Sequence, residues 1–325
     1  MAGQRVLRSI AVAIVILALL TALRVIWIVQ NQSLASVIPL AAKKSPLETT
    51  AEVPRRPIST RRETVITEPS NLVTKSERRR NGTHRLAIVI PFRDRDAHLA
   101  AFIKHMVPFL SKQNLIFHIY VIEQTKKGLF NRGKLSNIGF LIAKERGYDY
   151  VCFHDVDMLP LNHGNRYSYP QENPRHHATC VEQFNYKLPF KWYSGGVIAF
   201  TLEQYEKING MSNVYFGWGK EDDDLHRRIV SSGYRIDRQD PQAGSECVGM
   251  YASLDHGPRD YSSTKRNNEL LNGSRERQSD DGLNSVRYRK LNESLVNDAF
   301  TRIIVDVCIE VRLVSASEVG CGGEA

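Results

Sequence analysis

Between residues 85 and 154 the chain alternates uninterrupted apolar runs with apolar positions at helical spacing, and few folds accept that order. Arg85-Leu86-Ala87-Ile88-Val89-Ile90 reads as a strand buried on both faces, ended by Pro91. Leu99, Phe102, Ile103, Met106, Val107 and Leu110 then fall on one helical face over Ala97 to Lys112, with Pro108 as a kink. A strand over Ile116 to Glu123, a helix over Gly133 to Arg146 and a strand over Tyr150 to His154 follow. Strand, helix, strand, helix, strand predicts an α/β domain built on a mostly parallel sheet, with ligands gathered at the carboxyl ends of the strands. Pro91-Phe92-Arg93-Asp94-Arg95 and Asp155-Val156-Asp157 fall at two such ends. Further on, Gly195 to Phe200 reads as a strand, Glu203 to Lys207 and 221 to 233 as helices, and Tyr234 to Arg238 and Thr301 to Val311 as β-prone. The polar stretch from Gly257 to Asp281 reads as a long surface loop of the kind that forms lids.

Ahead of this domain, Ser9 to Val29 is apolar apart from Thr21 and Arg24 and follows Arg5 and Arg8. A run of that length spans a bilayer core, and it continues past any small-residue cleavage site. The expectation is a cytosolic tail at 1–8, an uncleaved signal anchor at 9–29, a disordered stem at 30–84 and a lumenal domain at 85–325. Four Asn-x-Ser/Thr sequons, at Asn31, Asn81, Asn272 and Asn292, fit a lumenal chain. The net charge of +9 belongs to the anchor and stem, since thirty basic residues face thirty acidic ones after Arg85. A nucleic-acid partner is therefore not expected. Five cysteines are too few for a disulfide scaffold and lack metal spacing; Cys152 with Cys180 is a candidate intrachain pair in an oxidising lumen.

The candidate chemistry lies in two carboxylate clusters. Phe216-Gly217-Trp218-Gly219 leads into Lys220-Glu221-Asp222-Asp223-Asp224, which places successive carboxylates in the first turn of a helix. Such residues also simply complement the helix dipole. The second cluster, Asp155 and Asp157, ends an apolar strand, where strand alternation would send the two side chains to opposite sides, one toward a divalent cation. Arg93, Arg95 and Arg132 lie at strand ends or helix starts, and guanidinium forks there suit phosphate oxygens.

In combination these stretches resemble the β-1,4-galactosyltransferases, inverting glycosyltransferases of the GT-A fold. The resemblance is carried in order by Ile90 to Arg95 with His98-Leu99, Phe130 to Arg132 through Asn137 to Phe140, Asp155 to Asp157, Tyr193 to Val197, Asn209 to Asn213, Gly217 to Asp224, and Asp281 to Val286. It implies that Pro91, Arg93, Arg95, Arg132, Asp155 and Val156 hold uridine diphosphate. It likewise implies that Asp157 and His256 bind Mn2+, Asp222 is the general base, and Tyr193, Gly196, Trp218, Glu221 and Asp223 contact donor and acceptor sugars. Trp218 would sit on a mobile loop, and Tyr193 points to galactose as the donor sugar.

One departure stands out. The family completes its metal site with a Met or second His ahead of the ligand His, and here that slot falls on Ser253. Asp255 in a shifted register, or water, is the substitute. The acceptor implied is a terminal N-acetylglucosamine on glycoproteins or glycolipids. Asp155 to Asn162 and Asn209 to Asn213 also resemble the branch that galactosylates xylose in proteoglycan linkers. A catalytically silent sugar-binding relative is the reading from a different class. The resemblance places the protein in the Golgi membrane, spanning once with its catalytic domain lumenal.

Overall fold

The computed structural model describes residues 84–238, 247–255, 257, 261, 263–297 and 299–308. The expected tail, anchor and stem, the sequons Asn31 and Asn81, and His256 lie outside the described residues. Among the described residues no helix is long and apolar enough to cross a membrane.

The predicted alternation appears as β1 (Arg85–Phe92), α1 (Asp96–Ser111), β2 (Ile116–Gln124), α2 (Arg132–Glu145) and β3 (Tyr150–His154). Alternate residues of β1 serve two cores. Ala87 and Val89 pack with Leu135, Ile138 and Phe140 of α2, while Leu86, Ile88 and Ile90 pack with Phe102, Met106 and Leu110 of α1. Both faces are covered, which is why the run shows no polar alternation. Pro108 lies inside α1, as expected.

Short elements follow: β4 (Met158–Pro160), β5 (Arg175–His176), β6 (Cys180–Val181), β7 (Val197–Thr201), α3 (Leu202–Lys207), α4 (Glu221–Ser231), β8 (Asp237–Arg238) and β9 (Met250–Ser253). The chain then forms α5 (Thr264–Asn272), α6 (Ser274–Arg277), β10 (Arg289–Val296) and β11 (Phe300–Asp306). Thr201 caps α3 through a reciprocal capping box with Gln204.

The main sheet has the order β10-β11-β2-β1-β3-β7-β5-β8, and a second sheet has the order β4-β9-β6. Among the described residues the main sheet is mixed, with four of its seven strand pairings parallel, β5 on β8 included. The stretch β11-β2-β1-β3 is parallel, but β10 on β11, β7 on β3 and β5 on β7 are antiparallel. The segment between β3 and β7 holds no crossover helix, so β7 returns alongside β3 in the opposite sense. Strand order reverses at β1, with β2 on one side and β3 on the other, and the crevice at their carboxyl ends holds both Arg93 and Asp155.

Two expectations are corrected. Cys180 is bridged to Cys247 rather than to Cys152, which is free and buried in β3, in register with Ile88 of β1 and Ala199 of β7. Residues 264–277 are helical rather than loop. The inward face of this segment is built from Asn267, Leu271 and Ser274, so its helical period is mostly polar and escapes a hydrophobic reading.

Candidate active site

After β1 the chain turns at Asp94, whose backbone is left-handed (φ 52). The flanking arginines part there. Arg93 donates from Nη1 to Gly128 O at 2.9 Å and lies over the Phe130 ring, while Arg95 donates from Nη1 to Asp157 Oδ2 at 2.7 Å. Pro91 is buried as the penultimate residue of β1. At the next strand end, β3 stops at His154, so Asp155-Val156-Asp157 is a turn and the strand-alternation argument does not apply. The two carboxylates part all the same. Asp155 Oδ1 accepts from Arg132 Nε at 2.9 Å and Asp157 accepts from Arg95, and these arginines start the helices covering opposite faces of the sheet. Val156 between them is buried against the α1 core.

A buried chain of hydrogen bonds holds this turn. His154 lies at 2.9 Å from Asp155 O through Nδ1 and at 3.0 Å from Tyr167 OH through Nε2. Burial lowers its pKa to about 4, so the ring is neutral. A carbonyl only accepts, so Nδ1 carries the proton and Tyr167 donates to Nε2. Tyr251 OH then donates to Tyr167 at 2.7 Å and accepts from Asn165 Nδ2 at 3.1 Å. The turn is thereby tied to β9, the strand that leads to position 256.

Gly195 and Gly196 lie between the two acidic clusters. Asp155 N donates to Gly196 O at 3.0 Å. A Cβ added to Gly196, whose φ is +80, would meet Met158 Sδ at 2.7 Å. At Gly195 it would meet Asp222 Oδ2 at 2.8 Å and the Tyr193 hydroxyl at 3.0 Å. Tyr193 is buried among the rings of His176, Phe184 and Phe190. Ser194 Oγ donates to Asp222 O at 2.8 Å and fixes the start of α4 against this turn.

The helix at 221–231 sorts its four acids. Asp224 is fully buried, bonded to Arg228 and to Tyr215 OH, and is structural. Asp223 Oδ2 accepts from Lys220 at 2.9 Å. Glu221 and Asp222 are left beside Arg132. Partial burial and then the Asp222 charge push Glu221 up to about 7, with Arg132 opposing. Asp222 is also raised, by burial and the Asp223 charge, with Arg132 again opposing. Both carboxyls are thus drawn toward their protonated forms, with the Arg132 guanidinium acting against that on each. Arg132 feels Asp155, Glu221 and Asp222 together, so a single guanidinium joins the two clusters.

Trp218 is 42% exposed, with its ring 4.7 Å from that of Tyr261. Its backbone is gripped by Ser263 and Asn267, and sequence reading missed both. A small polar residue inside a polar helix carries no pattern that marks it.

For a cation, the described residues bring no three acidic, His or Cys side chains together. Asp157 O accepts from Leu254 N at 2.8 Å, and Met158 pairs in register with Ser253, so the segment leading to His256 runs beside Asp157. Ser253 Oγ is buried there without a hydrogen-bond partner, and oxygen donors with an imidazole suit a hard divalent cation. Asp255 instead spends Oδ1 on Gly257 N, at 2.9 Å.

Two family models match the chain, "N-terminal region of glycosyl transferase group 7" over residues 59–170 and "N-terminal domain of galactosyltransferase" over 175–253. Among curated relatives, β-1,4-galactosyltransferase 6 of Rattus norvegicus is 43% identical over 228 residues, covering 70% of this chain and 58% of the relative. β-1,4-Galactosyltransferase 5 of Sus scrofa is 42% identical over 205 residues, covering 63% of this chain and 51% of the relative. The chain thus spans 51–58% of the length of these relatives. Among solved structures, the catalytic domain of Drosophila β-1,4-galactosyltransferase 7 with xylobiose is similar at TM-score 0.61 and 33% identity, over 70% of this chain and 96% of that one. A mutant of the same enzyme with manganese, UDP-Gal and xylobiose gives 0.59 and 30%, with the same coverage. On these likenesses, and on a crevice where one arginine joins two acidic clusters, this chain belongs to the β-1,4-galactosyltransferase family.

Proposed function

We propose that this protein is an inverting β-1,4-galactosyltransferase of the GT-A fold that moves galactose from UDP-galactose to the 4-hydroxyl of a terminal N-acetylglucosamine. The observation that carries the reading is Arg132, placed between Asp155 on the donor side and Glu221 and Asp222 on the acceptor side. Inversion needs one base and a stabilised leaving group. Asp222 takes the proton of the acceptor 4-hydroxyl as its oxygen bonds to the anomeric carbon. The bond from that carbon to the diphosphate breaks, and uridine diphosphate leaves with the electron pair. Arg93, Arg95 and Arg132, with Pro91, Asp155 and Val156 lining the crevice, hold the nucleotide and its developing charge. Glu221, with its pKa raised to about 7, keeps a proton to donate to a sugar hydroxyl. Asp223, Tyr193, Gly196 and Trp218 frame the sugars.

Asp157 and His256, with diphosphate oxygens, are the proposed holders of Mn2+, and Ser253, on the strand paired beside Asp157, is a further candidate oxygen donor. The bound cation would neutralise charge on the leaving diphosphate. The proposed location is the lumenal face of the Golgi membrane, reached by the single anchor at 9–29.

Two observations favour a xyloside as the second reading: the solved relatives quoted above carry xylobiose, and Asp155 to Asn162 matches that branch. The test is transfer by the full chain from UDP-galactose with Mn2+ to a β-N-acetylglucosaminide and a β-xyloside in parallel. Galactosylated glucosaminide supports the main reading and galactosylated xyloside the second; UDP binding without transfer to either moves the silent relative to the front. Asp222→Asn should lower kcat by about 10²–10⁴-fold while UDP binding persists.

A further inference from the structure

The backbone from Phe216 to Lys220 has few anchors of its own. Gly217, Gly219 and Lys220 are all left-handed (φ 79, 97 and 77), and the first turn of α4 has no side-chain cap at Lys220. Gly217 N donates to Phe130 O at 2.8 Å, and the side-chain anchors of the segment come from α5 and the residue before it. Asn267, fully buried, directs Nδ2 at three carbonyls: Phe216 O at 3.3 Å, Trp218 O at 3.1 Å and Gly219 O at 3.0 Å. Ser263 Oγ accepts from Trp218 N at 2.9 Å and lies 3.1 Å from Trp218 O. A Cβ on Gly217 would meet that hydroxyl at 2.4 Å, so the Ser263 side chain packs directly against the Gly217 backbone.

The Asn267 amide is held for its donor. Its Oδ1 is buried and has no hydrogen-bond partner, an arrangement that costs free energy. A reversed amide would set its oxygen against three carbonyls and is excluded. We infer that Asn267 is a positioning residue for the reaction: its clamp on the Phe216–Gly219 carbonyls fixes the peptide planes that orient Trp218 and start the helix carrying Glu221 and Asp222. Donor-sugar contacts and the base are therefore set together by a residue that touches neither substrate. The catalytic consequence rests on the galactosyltransferase reading; the placement of Trp218 does not.

The test uses the full chain with Trp27→Phe and Trp192→Phe, which leaves Trp218 as its one tryptophan. In this background Asn267→Leu keeps the side-chain volume and removes the clamp. Acrylamide quenching of Trp218 should rise at least about twofold. A misplaced catalytic group costs up to about 10²-fold, and loop-hinge changes move kcat and KM together, so both should worsen with UDP affinity nearly unchanged. Asn267→Asp, a carboxylate facing the same carbonyls, should behave like Asn267→Leu. Ser263→Ala, which removes the second anchor at little cost to packing, should show a smaller change of the same kind and serves if Asn267→Leu does not fold. Increased quenching supports the clamp even where no transfer activity is found. Unchanged quenching in a folded Asn267 variant, or in Ser263→Ala if neither Asn267 variant folds, overturns it. So does raised quenching with unaltered kcat and KM.

Discussion

Arg132 Nε donates to Asp155 Oδ1 at 2.9 Å, and the same guanidinium holds down the pKa values of Glu221 and Asp222. The residue opens α2 directly after Asn131, whose side chain accepts from Lys134 N and caps the helix. A helix start fixed by a cap thus delivers one cation to two acidic clusters that lie far apart in sequence. Arg132→Gln removes that cation. The acid limb of the pH–rate profile should then move to higher pH, because Glu221 and Asp222 lose the charge that favours ionisation. UDP affinity should fall as well; an unmoved acid limb would show that Arg132 acts on the nucleotide alone.

Gly195 gives a sharper steric test. An added methyl at this position meets Asp222 Oδ2 at 2.8 Å and the Tyr193 ring at 2.9 Å. Both neighbours are themselves fixed, Tyr193 by surrounding rings and Asp222 by the bond from Asp223 N to its Oδ1. Gly195→Ala should therefore cost on the order of 10²-fold in kcat/KM, as expected for a reacting group displaced by a fraction of an ångström to an ångström. Thermal unfolding should move little. A variant with unimpaired transfer would place the reacting atoms away from the Asp222 carboxylate.

Much of the fold is legible because its signals are local. The apolar run at 86–90 and the helical spacing at 99–110 each report a single element, and β1 and α1 lie within a few residues of those positions. The antiparallel return of β7 is not legible, since Val197 to Thr201 is buried throughout and reads the same in either direction. The same limit applies at the site. The order of the carboxylates and arginines is visible in the sequence, but the pairing of Arg95 with Asp157 and Arg132 with Asp155 depends on which face each helix covers. Asp224 looks like its three acidic neighbours in sequence, and only its partner Arg228, one helical turn on, marks it as structural.

That pair supplies a stability prediction. Arg228 is 1% exposed and binds Asp224, Asp281 O at 2.7 Å and Asp281 Oδ2 at 3.3 Å. Asp281 in turn accepts from Asn213 N at 2.7 Å and from Ser212 Oγ, so one guanidinium joins α4 to two loops. Arg228→Met leaves two carboxylates buried without their cation, which costs about 3–5 kcal/mol. The urea midpoint should drop accordingly with an unchanged slope. A loss below about 1 kcal/mol would mean that Arg277, 3.9 Å from Asp224 and 3.8 Å from Asp281, takes over both partners.

Glu221 ties stability to pH, and the sign is opposite to that of most carboxylates. Its folded pKa of about 7 lies above the ordinary value of 4.5, through partial burial and the Asp222 charge. Below pH 4.5 the group is protonated in both the folded and the unfolded chain and contributes no penalty. Between 4.5 and 7 the unfolded chain releases the proton while the folded chain keeps it, so stability falls as pH rises through this window and levels off above it. Glu221→Gln removes the proton and the penalty together. The variant should be more stable than the parent near pH 8, with the difference shrinking toward pH 4.5. Asp222, also raised, leaves a residual slope in the variant. Urea midpoints measured at half-unit pH steps give the comparison. Parallel curves for parent and variant would place the retained proton elsewhere, and with it the hydrogen bond that Glu221 is proposed to donate to a sugar hydroxyl.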